Sequence, residues 1–321
     1  MKKSILCMLL AMLLLTGSFT CCTNGTNETS KDVTADISTP FSEDSSETSK
    51  ESSEESSEES SEESSVAPKD LNEPIMAIPE DFGYDPVDKY FDNSVFIGYS
   101  IMMHFGRYVD DWRLDDERIM GTAEFRAGVG MNFRANKNQD PTEPDTTLPK
   151  HNNVAYHFED LPSAMGVKTM VIGLMPYSDM RLGGPDTCVE RGSECEIEGL
   201  KKIKEKNPDL HIICLAGTYN TGIQREGSIN LDLMHNQNVR EFNNRMLEYC
   251  NEAGIDFVDV ATPLTNGYGY FIEEWASDRV YHIRQEPYKI WIKVLRDYAT
   301  KKQAGTWQNP TVMPELGLDT E

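Results

Sequence analysis

Ser94-Val95-Phe96-Ile97-Gly98-Tyr99-Ser100-Ile101 is a β-branched and aromatic run that stops at a glycine and presents a serine. It reads as a buried strand, and a strand ending in Gly-x-Ser sets a hydroxyl at the carboxyl edge of a sheet, where open α/β folds place their chemistry. Four more strand-like runs follow, at Gly121 to Ala127, Lys168 to Met175, Leu210 to Ala216 and Ile255 to Val260. Helical patterns separate the later ones. Val239, Phe242, Met246 and Cys250 recur at helical spacing in the segment from Leu233 to Cys250, and Gly254 closes it. From Gln285 to Ala299 a second stripe of Tyr288, Trp291, Val294, Leu295 and Tyr298 follows Pro287. This alternation predicts an α/β fold with a five-stranded parallel sheet covered on both faces, and it places the aromatics of the stripes in the core.

The 321 residues divide unevenly. Lys2 and Lys3, an apolar run from Ile5 to Leu15, Gly17 and the pair Cys21 and Cys22 read as a secretory leader, since the run is too short to span a bilayer. The adjacent cysteines resemble the lipid-attachment site of bacterial lipoproteins, which implies a membrane anchor through an N-terminal lipid on residues 1–22 and a cell-surface, extracytoplasmic location. Simple secretion is the alternative. Residues 23–70 are nearly free of apolar side chains and include a Ser-Ser-Glu-Glu repeat from Ser52 to Ser65, so they cannot bury enough surface to offset ordering and read as a disordered tether. Residues 71–310 then form the folded domain, with 311–321 as a tail.

Of the net charge of −24, residues 41–65 carry −9 and residues 1–40 balance, leaving −15 on the remainder. A domain this acidic lacks the basic surface that phosphate backbones require, which excludes nucleic acid as a partner. No phosphate-binding loop or zinc spacing is present, so neither cofactor nor metal is implied. Cys214 and Cys250 fall in apolar patterns as buried thiols. Cys188 and Cys195 fall in a polar, glycine-containing stretch that reads as a loop, where an exported protein carries either a short-loop disulfide or two free thiols. The polar stretch from Asn132 to His151 is long for a connection and reads as a substrate-binding loop or an insertion.

A hydrolytic serine needs a base, a group that orients the base, and donors for the oxyanion. Among six histidines, only His282 falls on the loop after the last strand, which opens onto the same edge as Ser100. His104 shares an element with the serine, His151 and His157 flank a polar loop, His211 opens a strand and His235 a helix.

Taken together, these residues resemble the SGNH/GDSL hydrolase family, flavodoxin-like esterases and acyl hydrolases, over a span from about Phe91 to Tyr298. The resemblance sets Gly98-Tyr99-Ser100 on the first block, with Ser100 as nucleophile. It sets Gly130, in Gly128-Val129-Gly130-Met131-Asn132, on the glycine whose N–H joins that of Ser100 in the oxyanion hole. Pro176-Tyr177-Ser178-Asp179 falls on the third block, which makes Ser178 the side-chain oxyanion donor, and Asp278 to His282 falls on the last, which supplies the orienting acid and the base. It implies a flavodoxin-like three-layer sandwich and an acylated small molecule or polysaccharide as substrate.

Three departures bear on mechanism. Tyr99 stands in place of an acidic residue, and Ser178 in place of an asparagine amide. Asp278 lies four residues before His282 rather than three, so a bulge is needed for its carboxylate to reach the imidazole; without one Arg279, which has no acceptor, takes its place. Two readings follow: an extracytoplasmic esterase working through Ser100 and His282, or a binding module that keeps the fold and holds a glycan or acylated ligand.

Overall fold

The computed structural model describes residues 70–224, 230–315 and 317, all within one compact unit spanning residues 64–321. The leader, Cys21 and Cys22 and nearly all of the tether lie outside the described residues.

In chain order the elements are β1 (Ser94–Gly98), α1 (Ser100–Arg113), β2 (Glu124–Ala127), α2 (Phe133–Asn138), a small hairpin of β3 (Lys150–His151) and β4 (Val154–Ala155), α3 (Leu161–Met165), β5 (Thr169–Gly173), α4 (Pro176–Asp179), α5 (Cys188–Lys206), β6 (His211–Leu215), α6 (Leu231–Met234), α7 (Asn236–Ala253), β7 (Asp256–Val258) and α8 (Tyr288–Gln303). The main sheet runs β2-β1-β5-β6-β7, all parallel. Counting only its own strands, this is the flavodoxin-like order 2-1-3-4-5, whose direction reverses between the first and third strands. Val95, Phe96 and Ile97 of β1 and Met170, Val171 and Ile172 of β5 are buried, as strands covered on both faces must be.

Right-handed crossovers fix the layers. The chain steps one way from β1 to β2 and the other way through β5, β6 and β7, so α1 lies on one face and α5 and α7 on the other. The last helix, α8, returns to the face of α1, where Phe105 meets Tyr288 at 5.4 Å and Trp291 at 5.3 Å between ring centroids. Close approach of α1 to the edge strand depends on Gly106, where a Cβ would stand 2.7 Å from that of Phe125.

The strands are shorter than their apolar runs. β2 begins at Glu124 rather than Gly121 because Met120 and Gly121, at φ 56° and 55°, turn the chain first. The stretch around Cys188 and Cys195 differs more: it is α5, a helix of 19 residues, and not a loop. Its glycines serve contact rather than turning, since a Cβ at Gly192 would lie 2.9 Å from the Met180 backbone and one at Gly199 would enter the Phe133 ring. The disulfide is thereby corrected. Cys188 and Cys195 are free thiols, and seven residues of helix set them about 10 Å apart along its axis, beyond the Cα separation of about 7 Å that a disulfide spans.

The polar stretch after β2 also carries structure. Asn132 caps α2 by accepting from the Ala135 N–H at 2.7 Å, and Gln139 receives the Thr147 N–H at 2.8 Å, so side chains supply the bonds that a sheet or long helix would supply elsewhere.

Candidate active site

Parallel strands bring the loops after β1, β2 and β5 to one edge of the sheet. Gly98 ends β1 where a side chain would strike Met102, its Cβ 2.8 Å from that of the methionine. Tyr99 is the extended N-cap residue and Ser100 the first residue of α1. The Ser100 N–H therefore has no acceptor within the helix and sits at its positive end.

Ser100 Oγ lies 2.8 Å from His282 Nε2, and His282 Nδ1 lies 2.7 Å from Asp278 Oδ2. The carboxylate can only accept, so the Nδ1 N–H donates to it and Nε2 is left to accept from the serine hydroxyl. The bulge that the sequence requires is present at Arg279, which takes φ 65°. Turning the chain there lets Asp278 Oδ1 accept the N–H groups of Val280 at 2.8 Å, Tyr281 at 3.0 Å and His282 at 3.1 Å while Oδ2 holds the imidazole. Burial pushes the Asp278 carboxyl up, but the hydrogen bonds from His282 and the three amides outweigh it and hold the group well below the usual carboxylate range. Arg279 itself swings out to pair with Glu273, and its carbonyl accepts from Thr221 Oγ1 at 2.8 Å, which ties the loop to the segment after β6.

The remaining positions sit on the same edge with different standing. Gly128 N–H bonds the Gly98 carbonyl at 3.1 Å, anchoring the loop after β2 beside the serine. Gly130, exposed at φ 77°, offers an N–H that no described residue accepts. The Ser178 N–H is consumed by the Met175 carbonyl at 2.9 Å, so only its half-buried hydroxyl is available. Tyr99 is buried behind the nucleophile, where desolvation raises its pKa and keeps it a neutral phenol rather than a substitute acid.

Two buried carboxyl groups lie beneath the Met175–Asp179 turn: Asp179, quoted in the third block without a role, and Glu196, not found from sequence. Asp179 accepts the N–H groups of Phe133 at 3.2 Å and Arg134 at 3.1 Å, joining α4 to α2, and Glu196 Oε1 accepts the Met175 N–H at 2.8 Å. Burial raises Asp179 to about 6 and lifts Glu196 well above its ordinary value, with the charge of Asp179 adding to the latter. The signal was absent because Glu196 lies in the helix whose glycines read as a loop.

Sheet order, a serine on the turn after the first strand and an acid–histidine pair on the loop before the last helix stand where the resemblance to SGNH/GDSL hydrolases implies. No family model matches the chain, and no curated protein matches it. Similar solved structures include a GDSL-like lipase from Bacteroides thetaiotaomicron, at 15% identity over 68% of this chain and 91% of that one with a TM-score of 0.43. The psychrotrophic esterase EstA from Pseudoalteromonas is similar at 12% identity over 67% of this chain and 100% of that one, TM-score 0.43. A family two carbohydrate esterase from Clostridium thermocellum is similar at 17% identity over 67% and 64%, TM-score 0.41. At these levels of likeness, what the site does has to be argued from its own geometry.

Proposed function

We propose that the domain is a serine ester hydrolase in which Ser100 is the nucleophile. The observation that carries the reading is the unbroken chain from Ser100 Oγ through His282 to Asp278, at 2.8 and 2.7 Å. In this reading Ser100 Oγ attacks the ester carbonyl as its proton passes to His282 Nε2, while Asp278 holds the Nδ1 proton and stabilises the imidazolium. The oxyanion is met by the N–H groups of Ser100 and Gly130 and by the Ser178 hydroxyl. Collapse of the tetrahedral intermediate passes the imidazolium proton to the leaving alcohol and leaves an acyl-serine, which water cleaves by the same route.

The binding-module reading draws on Ser178, whose hydroxyl replaces a longer amide donor. It has less support, because a lost donor only slows a serine hydrolase, whereas a binding module has no use for an aspartate held by four hydrogen bonds behind the histidine. The substrate class that accords with an exported esterase of this type is an acylated small molecule or polysaccharide, and the leader and cysteine pair support a location at the outer face of a bacterial membrane through a lipid on Cys21 or Cys22. Mass spectrometry of the mature N-terminus tests the anchor: a lipid-modified cysteine is expected, and an unmodified, released terminus would contradict it. Labelling by a fluorophosphonate tests the nucleophile without a substrate guess.

A further inference from the structure

Ser100, His104 and Arg107 stand at positions i, i+4 and i+7 of α1 and so form one stripe along the helix, with Arg107 about 10 Å of helix rise from the nucleophile. Beside this stripe lies a cavity of about 600 Å³. Its apolar lining includes Ile78, Trp275 and Ile283, and Arg107 and Arg284 also line it. The segment after the triad histidine runs alongside α1, with Gln285 Nε2 donating to Asp111 Oδ2 at 3.4 Å one helical turn beyond Arg107.

The cavity adjoins the histidine side of the site. The rings of His104 and His282 are 5.5 Å apart, and Ser277 of the cavity wall donates to the His282 carbonyl through its N–H at 2.7 Å and its hydroxyl at 3.1 Å. The imidazolium must hand its proton to the departing oxygen, so the alcohol half of an ester lies on this side and the oxyanion on the other. Charge then selects among alcohols. Neither Arg107 nor Arg284 has a side-chain hydrogen bond or ion pair among the described residues, although Arg113, Arg118, Arg126, Arg279 and Arg296 are all paired with carboxylates. Of the two carboxylates in the lining, Glu286 is neutralised by Lys289 at 2.6 Å, leaving Glu274 against two guanidinium groups. His104 adds no charge, since burial, then His282 and Arg107, lowers its pKa. Among the lining residues two guanidinium groups stand against Glu274, while Asp111 lies one turn beyond Arg107 and accepts from Gln285.

Resting on the esterase reading, we infer that the cavity is a leaving-group subsite for an alcohol bearing a carboxylate or phosphate, which Arg107 and Arg284 bind while the alcohol's body lies against Trp275 and Ile283. Guanidinium groups suit either anion through paired N–H donors.

The test compares, on the full-length protein, kcat/KM for 3-(4-acetoxyphenyl)propionate, for its methyl ester, and for 2-(4-acetoxyphenyl)ethyl phosphate. The anionic esters are expected to be preferred by about 10-fold or more over the methyl ester. The ratio should fall toward unity in Arg107→Gln and Arg284→Gln, and it should shrink with added salt. Which anion ranks first separates carboxylate from phosphate alcohols. Hydrolysis of all three at equal kcat/KM, or a preference untouched by both substitutions, would overturn the subsite while leaving the esterase intact. If no ester is cleaved the esterase reading fails by itself, and equilibrium dialysis still decides the cavity: 3-(4-hydroxyphenyl)propionate is expected to bind more tightly than its methyl ester, with the difference lost in Arg107→Gln, and equal binding would refute the assignment.

Discussion

Asp278→Asn is the substitution whose outcome the geometry constrains most tightly. The carboxylate has two occupied sides: Oδ1 takes three backbone N–H groups and Oδ2 takes the imidazole Nδ1. An asparagine can keep the loop only by turning its carbonyl oxygen to the three amides, because an NH2 group facing three donors would leave all of them unpaired. Its NH2 then faces His282 Nδ1 and must donate to it. That fixes the proton on Nε2, which can no longer accept from Ser100. The serine loses its base although every heavy atom stays in place. In serine proteases this tautomer trap lowers kcat by about 10⁴, equivalent to about 5.5 kcal/mol of transition-state stabilisation. For this protein the expected loss in hydrolysis of an aryl acetate at pH 7.5 is about 10³- to 10⁴-fold, with the thermal midpoint little changed. A loss of less than about 10-fold in a folded variant would refute the role given to Asp278.

Ser178→Asn extends a donor toward the oxyanion and is expected to raise kcat by about 10-fold; an unchanged or lower rate in initial-velocity assays would remove Ser178 from the oxyanion site. The Asp179–Glu196 pair sets a pH dependence of stability. With Asp179 raised to about 6 and Glu196 also raised well above its ordinary value by burial, the folded state binds more protons than the unfolded state above pH about 4, so stability present below that pH is lost as pH rises through the folded-state values. Glu196→Gln keeps the acceptor for Met175 and supplies a permanent donor toward Asp179, so urea midpoints should decline less between pH 4 and 8 than in the parent, and an identical slope would count against the pair. Gly106→Ala drives a Cβ against Phe125 and is expected to cost about 1–3 kcal/mol, read as a lowered midpoint in urea, whereas a neutral effect would show that α1 can move off β2.

The centre of the sheet was legible because β1, β5 and β6 are buried almost throughout and their apolar runs are nearly unbroken. Ser94–Gly98 and His211–Leu215 stand within a residue of where their side chains place them. The need for a bulge between Asp278 and His282 was readable once the resemblance paired them, since the pair stands one residue farther apart than the block it resembles. What closes that turn was not: a left-handed arginine carries no local signature, and its conformation is held by long-range bonds to Glu273 and Thr221. α5 was lost for a different reason. Its buried side includes Cys188, Gly192, Ser193, Glu196 and Gly199, small or polar groups chosen to fit Met180 and Phe133, so the apolar periodicity that marks a helix is missing over its first half. With that helix unseen, Glu196 could not be placed beneath the oxyanion turn, nor the two cysteines recognised as too far apart to bridge.

The central claim is that Ser100 is an activated nucleophile, and covalent labelling tests it most directly. Full-length protein treated with a fluorophosphonate at pH 7.5 should acquire one adduct, located by peptide mass spectrometry on Ser100, and the adduct should be lost in Ser100→Ala and strongly slowed in His282→Gln. A folded protein that takes no label, or takes it at another residue and keeps its ester hydrolysis in Ser100→Ala, would contradict the claim.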